Sequence, residues 1–364
     1  MIIISYPYCK SRETETENMF GRLFVQYKCK VEEGWKKEGN IGDCVQNIAV
    51  ENLYKKAGIP ADELILVNRD GLPDYHGEKV KLVMQSYFAE AYGCFPFPWS
   101  KDISPIFLGF HLNSTNNSRK MFIKNGIHKD MKPFEPIGCR DRNTRDFLIA
   151  NGVNAYFSGC MTLTVDTREQ QPVNGKIFVV DLYAKALKKL PKEIVDKADF
   201  SITHIYKWDK DKDIDYKAAI DFENKAREIL HIYKTQAALV ITSRIHVAMP
   251  CIAMGIPVIF IAKNVNNERY DILQGIVPIY DHRDMQYINW HPHAPNIESL
   301  KKAIIANAIA QIKEAPDRDE KRKALEAITS EMRPIEYLPL WLHWIRKIEY
   351  AIRKVVINLK AILG

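Results

Sequence analysis

The chain has 364 residues, 46% of them hydrophobic and 27% charged, with 52 Lys and Arg against 45 Asp and Glu for a net charge of +7. That apolar content excludes a disordered chain, and at about 150 residues per domain the length suits two domains. A surplus this mild does not imply nucleic acid, and none is expected as a partner.

Seven cysteines (Cys9, Cys29, Cys44, Cys94, Cys139, Cys160 and Cys251) are odd in number, widely spaced and without a CxxC pair. That pattern argues against a disulfide framework or structural zinc and fits reduced, buried thiols in a cytosol. The apolar start, Met1-Ile-Ile-Ile, is too short for a signal peptide and lacks a basic n-region. No run of 18 apolar residues exists, so no spanning helix is expected.

In chain order, Glu63–Val67, Lys81–Met84 and Ile106–Phe110 read as short buried strands. Arg142–Gly152 reads as a helix closed by Gly152, and Asn154–Phe157 as a further strand. The polar stretch 166–175 has the composition of a linker. After it come strand-like Lys176–Leu182, Phe200–His204, Ala238–Thr242 and Pro257–Ile261, with a helix over Tyr216–Gln236. Short apolar strands alternating with helices predict βαβ units and parallel sheets. The expected fold is therefore α/β, with two Rossmann-like domains over 1–166 and 176–315 and a helical tail over 316–364.

In the tail, Trp341, Trp344, Ile345, Ile348, Ile352, Val355, Val356, Leu359 and Ile362 recur at helical spacing. Arg346, Lys347, Arg353 and Lys354 fall mostly off that stripe. From Arg333 onward there are six basic and two acidic residues, so this segment carries four of the seven surplus charges. Two readings stand: an amphipathic helix at an anionic membrane surface through 338–363, or a helix packed on the body.

Four segments carry chemistry. The first is Gly39-Asn-Ile-Gly-Asp43, a tight turn before an apolar helix. Its amides can face a ligand and Asp43 can cap the helix, though it is not a GxGxxG fingerprint. The second is Gly109-Phe-His-Leu112, which puts His111 just past a strand, where open α/β sheets place ligands. The third is Gly138-Cys-Arg-Asp-Arg-Asn-Thr144, with Asn143 or Thr144 as the helix cap. Arg140 and Arg142 then lie at a helix N-terminus, a phosphate or carboxylate site, unless Arg140 and Asp141 form only a surface pair. The fourth is Ile241-Thr-Ser-Arg-Ile-His246, where Arg244 and His246 follow a strand and Lys263 follows the next. Arg, His and Lys at one sheet edge suit a small dianion or trianion.

With Ser158-Gly-Cys-Met-Thr-Leu163 and Gly255-Ile-Pro-Val258 added, these segments resemble the polysaccharide pyruvyl transferase family over roughly residues 38–262. The resemblance implies a GT-B-like pair of Rossmann domains, the first on the acceptor side and the second on the donor side. It implies phosphoenolpyruvate as co-substrate, no separate cofactor or metal, and a sugar acceptor, expected to be lipid-linked. The product would be a pyruvate ketal on two sugar hydroxyls of a bacterial surface polysaccharide, capsule or exopolysaccharide. By motif, Arg140 and Arg244 are expected to bind the donor, with Lys263 a weaker match and Arg269 its competitor. Asn40 and Thr144 complete the substrate-binding candidates. His246 is expected as general acid, Asp43 as base or acceptor ligand, and His111 as acceptor contact or proton relay. The expected location is the cytoplasm, peripheral to the inner face of the membrane. The alternatives are a GT-B glycosyltransferase using a nucleotide sugar and a non-catalytic module that binds anionic glycans.

Overall fold

The computed structural model describes residues 19–26, 38–89, 95–114, 116–208 and 215–339, with 341, 342, 344, 345, 348 and 352. The first half carries β1 (Met19–Phe24), β2 (Glu38–Asn40), α1 (Ile41–Lys56), β3 (Ile65–Asn68), β4 (Val80–Val83), β5 (Tyr87–Phe88), β6 (Ile103–Ile106) and β7 (His111–Leu112). It continues through α2 (Asn116–Lys124), α3 (Ile127–Asp130), β8 (Ile137–Cys139), α4 (Arg142–Ala150) and β9 (Ala155–Phe157). The second half begins with β10 (Lys176–Val180), α5 (Ala184–Leu187), α6 (Lys192–Val195), β11 (Ala198–Asp199), β12 (Ile205–Lys207) and α7 (Tyr216–Gln236). It ends with β13 (Ala237–Thr242), α8 (Ile245–Ala253), β14 (Val258–Ile261), α9 (Asp271–Gln274), β15 (Ile279–Tyr280), α10 (Glu298–Ile312) and α11 (Arg318–Glu331).

The fold is α/β with two parallel sheets. The first has the order β3-β1-β4-β6 and the second β11-β10-β13-β14-β15. Two short parallel pairs, β5–β7 and β8–β9, accompany the first sheet. β1 lies inside that sheet although the sequence pattern gives no strand there. Gly21 and Arg22 interrupt its apolar run. A Cβ on Gly21 would lie 2.5 Å from Val80 Cγ2 and 3.0 Å from the Ile65 carbonyl oxygen, so glycine lets β3 and β4 close in from both sides.

The expected strand over Phe200–His204 does not form. Thr203 Oγ1 donates to Asp181 Oδ1 at 2.8 Å and the His204 amide to Asp181 Oδ2 at 2.9 Å. The His204 carbonyl accepts from the Ile41 amide at 2.9 Å. The backbone groups of this stretch are thus spent on a side chain and on the other half, and β12 then pairs antiparallel with β2. The stretch 166–175 is tied to the second half rather than spanning freely. The Arg168 amide donates to the Met254 carbonyl at 3.1 Å and its guanidinium to the Ala237 carbonyl at 2.5 Å.

α1 is buried at thirteen of its sixteen positions. α1 lies against β1, α7 and α8 at once, so even its polar Asp43, Gln46, Asn47 and Glu51 are buried. Beside it runs a buried ion network between the halves. Arg22 of β1 reaches both Glu223 carboxylate oxygens at 2.8 Å and Glu51 at 3.2 Å, and Arg227 joins Glu51 and Glu223 at 2.6 and 2.8 Å. α10 and α11 return onto the first half. Asn307 donates to the Tyr156 hydroxyl at 3.0 Å, and Arg142 donates to the Thr329 carbonyl at 2.8 Å.

The body extends at least to Tyr337, whose hydroxyl donates to the Ile279 carbonyl at 2.8 Å. Beyond it, Trp341, Trp344, Ile345, Ile348 and Ile352 have helical backbone and are exposed, both tryptophans by 63%. The rest of the expected amphipathic segment lies outside the described residues, as do Cys9, Cys29 and Cys94. Cys44, Cys139, Cys160 and Cys251 are free and buried. No helix among the described residues is long and apolar enough to cross a membrane.

Candidate functional site

Parallel strands expose their carboxyl ends on one edge, and the segments bearing Arg140 and His246 follow strands there, whereas His111, expected just past a strand over 106–110, stands at the start of a strand of its own. Arg140 follows β8, His111 opens β7 and His246 lies in the first turn of α8. Gly138 lets β8 approach its neighbour, since a Cβ would lie 2.6 Å from the Phe107 carbonyl oxygen. Ser158 Oγ accepts from the Gly109 amide at 2.9 Å and donates to the Cys139 carbonyl at 3.1 Å. The Ser158–Leu163 motif is therefore scaffolding: Ser158 ties two strand ends together, while Cys160, Met161 and Leu163 fill the core beneath.

Arg140 is 1% exposed. Its Nη1 donates to Gln46 Oε1 of α1 at 2.8 Å, while Nε and Nη2 have no hydrogen-bond partner. Burial and the neighbouring Arg269 charge both lower its pKa. The expected surface pair with Asp141 is absent as such, because both residues are buried and Asp141 turns elsewhere. Asp141, not Asn143 or Thr144, is the N-cap of α4: its Oδ1 accepts from the Thr144 amide at 2.7 Å. Its Oδ2 meets His111 Nδ1 at 2.5 Å and the Thr144 hydroxyl at 3.1 Å. Thr144 thus braces the Asp141–His111 pair. Tyr87 stacks on His111 at 5.1 Å, and Arg269 lies over the Tyr87 ring, also at 5.1 Å.

From the second half, His246 packs against the first glycine-containing motif. A Cβ on Gly42 would fall 2.9 Å from His246 Cβ. His246 Nε2 and His111 Nε2 are both buried without a hydrogen-bond partner. Burial, then Arg140, Arg269, His204 and His111, push the His246 pKa well below 6.5. Burial and Arg140 push His111 down to about 4, against the upward pull of Asp141. Both imidazoles are neutral at pH 7.

Other sequence candidates take different places. Asn40, not Asp43, caps α1, accepting from the Gly42 amide at 3.1 Å. Asp43 pairs with Arg69 at 2.8 Å. Arg244 is about one-third exposed, with Nε on Asp181 Oδ2 at 3.1 Å. Asp181 holds a left-handed φ of 48°, unusual for a residue with a side chain. Lys263 is exposed. Arg269 is the basic residue beyond β14 that acts on Arg140, His111 and His246. Sequence reasoning missed Gln46, Asp141 and Tyr87 as members of the cluster. Gln46 lies one helical turn after Asp43, and Asp141 directly follows Arg140; those positions were the only signals available.

The cluster holds buried guanidinium nitrogens beside two neutral imidazoles. That combination can bind an anion and move protons within one site.

A protein-family model described as "Polysaccharide pyruvyl transferase" matches residues 40–264. No curated protein matches the chain. Among solved structures, an uncharacterized protein of Klebsiella pneumoniae is 15% identical, covering 69% of this chain and 88% of that one, with a TM-score of 0.38. The S. aureus MnaA–UDP co-structure is 9% identical, covering 85% and 91%, with a TM-score of 0.37. A UDP-N-acetylglucosamine 2-epimerase is 10% identical, covering 89% and 100%, with a TM-score of 0.39.

Proposed function

The chain belongs to the polysaccharide pyruvyl transferase family, and from that premise we propose that it transfers the pyruvyl group of phosphoenolpyruvate to two hydroxyls of a sugar as a ketal. Pyruvyl transfer in polysaccharide biosynthesis is the family's role. The donor and the ketal are our reading. The observation that carries it is Arg140, fully buried with two unpartnered guanidinium nitrogens and two unengaged imidazole Nε2 atoms in the same cluster.

Phosphoenolpyruvate brings a phosphate, a carboxylate and an enol. A buried guanidinium binds phosphate or carboxylate with charge-assisted, forked hydrogen bonds. Arg140 and Arg269 suit these anionic groups, and Arg244 can leave Asp181 to join them. Protonation of the methylene carbon makes C2 electrophilic. One sugar hydroxyl adds to C2, phosphate departs, and the second hydroxyl closes the ring. One hydroxyl proton balances the new methyl group and the other leaves with phosphate. His111 and His246 are the proton carriers at hand.

The test is phosphate release from phosphoenolpyruvate across a panel of glycosides, with mass spectrometry of the product. A pyruvylated glycoside with wild-type protein, lost in Arg140→Ala, is the expected result. Release or product at the same rate in that variant would overturn the site. No release with any acceptor would overturn the donor.

The acceptor reading includes a lipid-linked glycan met at a membrane. The exposed Trp341, Trp344, Ile345, Ile348 and Ile352 and the local surplus of four positive charges support contact with an anionic bilayer. Flotation with vesicles containing phosphatidylglycerol should carry the full chain. The Trp341→Glu/Trp344→Glu variant should stay behind; equal flotation of both would end this reading.

A further inference from the structure

A general acid must carry a proton before it can give one. Burial first, then Arg140 and Arg269, keeps both imidazoles of the cluster neutral when the site holds no anion, so neither has a second proton to give. The two histidines differ, however, in what stands behind them. We infer that His111, braced by Asp141, takes up one proton as the donor binds and then delivers it to the donor's methylene carbon. This rests on the donor reading above.

Asp141 is fixed by its bonds to the Thr144 amide and hydroxyl, and its Oδ2 meets His111 Nδ1. An ionised carboxylate only accepts, so Nδ1 donates and Nε2 is the atom left to gain a proton. A carboxylate in that position stabilises the imidazolium that forms. The groups acting on His111 from neighbouring segments are Arg140 after β8, Asp141 and Thr144 at the start of α4, Tyr87 of β5, and Arg269. Burial opposes protonation most, and a bound trianion on the two arginines offsets the two charges that add to it while bringing negative charge beside the imidazole. The carboxylate that favours protonation remains. His246 has no such support. No carboxylate is among the leading influences on it, and it lies in the first turn of α8, where the helix dipole disfavours a cation. The sequence pattern points to His246 as the acid; the geometry moves that role to His111. His246 stays neutral as a donor contact, and Asp141 is a positioning residue.

The step balances. The Nε2–H bond breaks as the C3–H bond forms, and C2 becomes cationic. The first hydroxyl oxygen bonds to C2 and its proton passes to the freed Nε2. The C2–O bond to phosphate then breaks, the second hydroxyl closes the ketal, and its proton leaves with phosphate. The proton on His111 is lost again when the products depart.

Titration calorimetry of phosphoenolpyruvate without acceptor, at about pH 7.5 and so above the phosphate's second ionisation near 6, in two buffers of different ionisation enthalpy, reads the proton directly. About one proton should be taken up by wild-type protein and by His246→Gln. His111→Gln and Asp141→Asn should take up none. The donor Kd should weaken about tenfold per pH unit wherever one proton is taken up. Binding with equal heat in both buffers would overturn the inference while leaving the donor reading intact. Uptake lost in His246→Gln and kept in His111→Gln would overturn the assignment. No binding heat at all would sink the donor reading itself. Should the buried variants fail to fold, nitrogen-15 spectra of wild-type histidines decide: one imidazole must become imidazolium on adding the donor, and its absence would refute the proposal.

Discussion

The two halves contribute to the site in different ways. The first half builds its part from its own elements: His111, Arg140 and Asp141 are each 1% exposed or less and lie on β7, directly after β8 and at the N-cap of α4. The second half borrows its order. His246 is placed by contact with Gly42, and the His204 carbonyl is held by Ile41. Arg244 is about one-third exposed and held by Asp181. Chemistry that needs a dry, fixed environment belongs to the first half. Adjustable donor contacts belong to the second. Variants on each side can break this contrast or sharpen it.

The largest effect is expected at Arg140. Arg140→Ala removes a buried cation and strands Gln46 Oε1. Losing one partner of a buried charged contact costs about 2–5 kcal/mol, so kcat/KM should fall by roughly 10²- to 10³-fold. Arg140→Lys should restore little, because an ammonium lacks the planar fork. A matching loss from Arg244→Ala would erase the contrast between the halves.

Next comes the ion network that joins them. Arg22→Met leaves Glu223 and Glu51 buried with Arg227 as the remaining arginine partner. Breaking a buried network by removing one partner costs about 3–5 kcal/mol. Urea unfolding should show that loss. Arg22→Met/Glu223→Leu should recover part of it, because the stranded carboxylate is gone. A change near zero in the single variant would mean the halves are held by apolar packing alone.

Gly42→Ala tests the junction at the site itself. The added Cβ falls 2.9 Å from His246 Cβ, within helix and imidazole that are both buried. Overpacking of this kind costs about 1–3 kcal/mol. Thermal unfolding should show the loss, and phosphate release should drop more than stability alone explains. Unchanged turnover would mean His246 tolerates displacement.

Acid should loosen the first-half cluster by a smaller step. Burial and like charges hold the His111 pKa at about 4, against about 6.5 in an unfolded chain. A lowered value means the neutral form is the stable one. The contribution is therefore full above about pH 6.5 and is lost as pH falls toward 4. The slope is about 1.4 kcal/mol per pH unit for each such histidine. Urea midpoints between pH 7 and pH 5 should follow it, and His111→Gln should flatten the curve.

How much of this the sequence foretold depends on reach. Strand–helix alternation marked β4, β9, β10, β13 and β14 and the helix α7 because their apolar patterns are local. β1 escaped because Gly21 and Arg22 serve neighbours far along the chain, at Val80 and Glu223. Motif position placed Arg140 and His246 after the strands that precede them, whereas His111, expected past the end of a strand over 106–110, opens β7 because the strand before it ends at Ile106. Motif position could not tell Asp141 from a surface charge, because its partner His111 lies 30 residues away. On residue type Asp43 suits the cap of α1, but the helix starts at Ile41, so Asn40 takes the cap and Asp43, inside the first turn, pairs with Arg69 instead.

The smallest effect separates two basic residues that the sequence left in competition. Lys263 follows β14 directly, so spacing favours it. The chain turns after β14 and leaves Lys263 exposed, while Arg269 folds back over Tyr87. Contacts of an exposed lysine are worth about 0–1 kcal/mol and are screened by salt. Lys263→Ala should therefore change kcat/KM by less than about fivefold, and high salt should erase the difference. Arg269→Ala, by contrast, removes a charge that acts on Arg140 and both histidines. It should weaken donor binding by more than tenfold and raise the His111 pKa. If Lys263→Ala were the more damaging of the two, the donor would bind at the open sheet edge of the second half rather than against the buried first-half cluster.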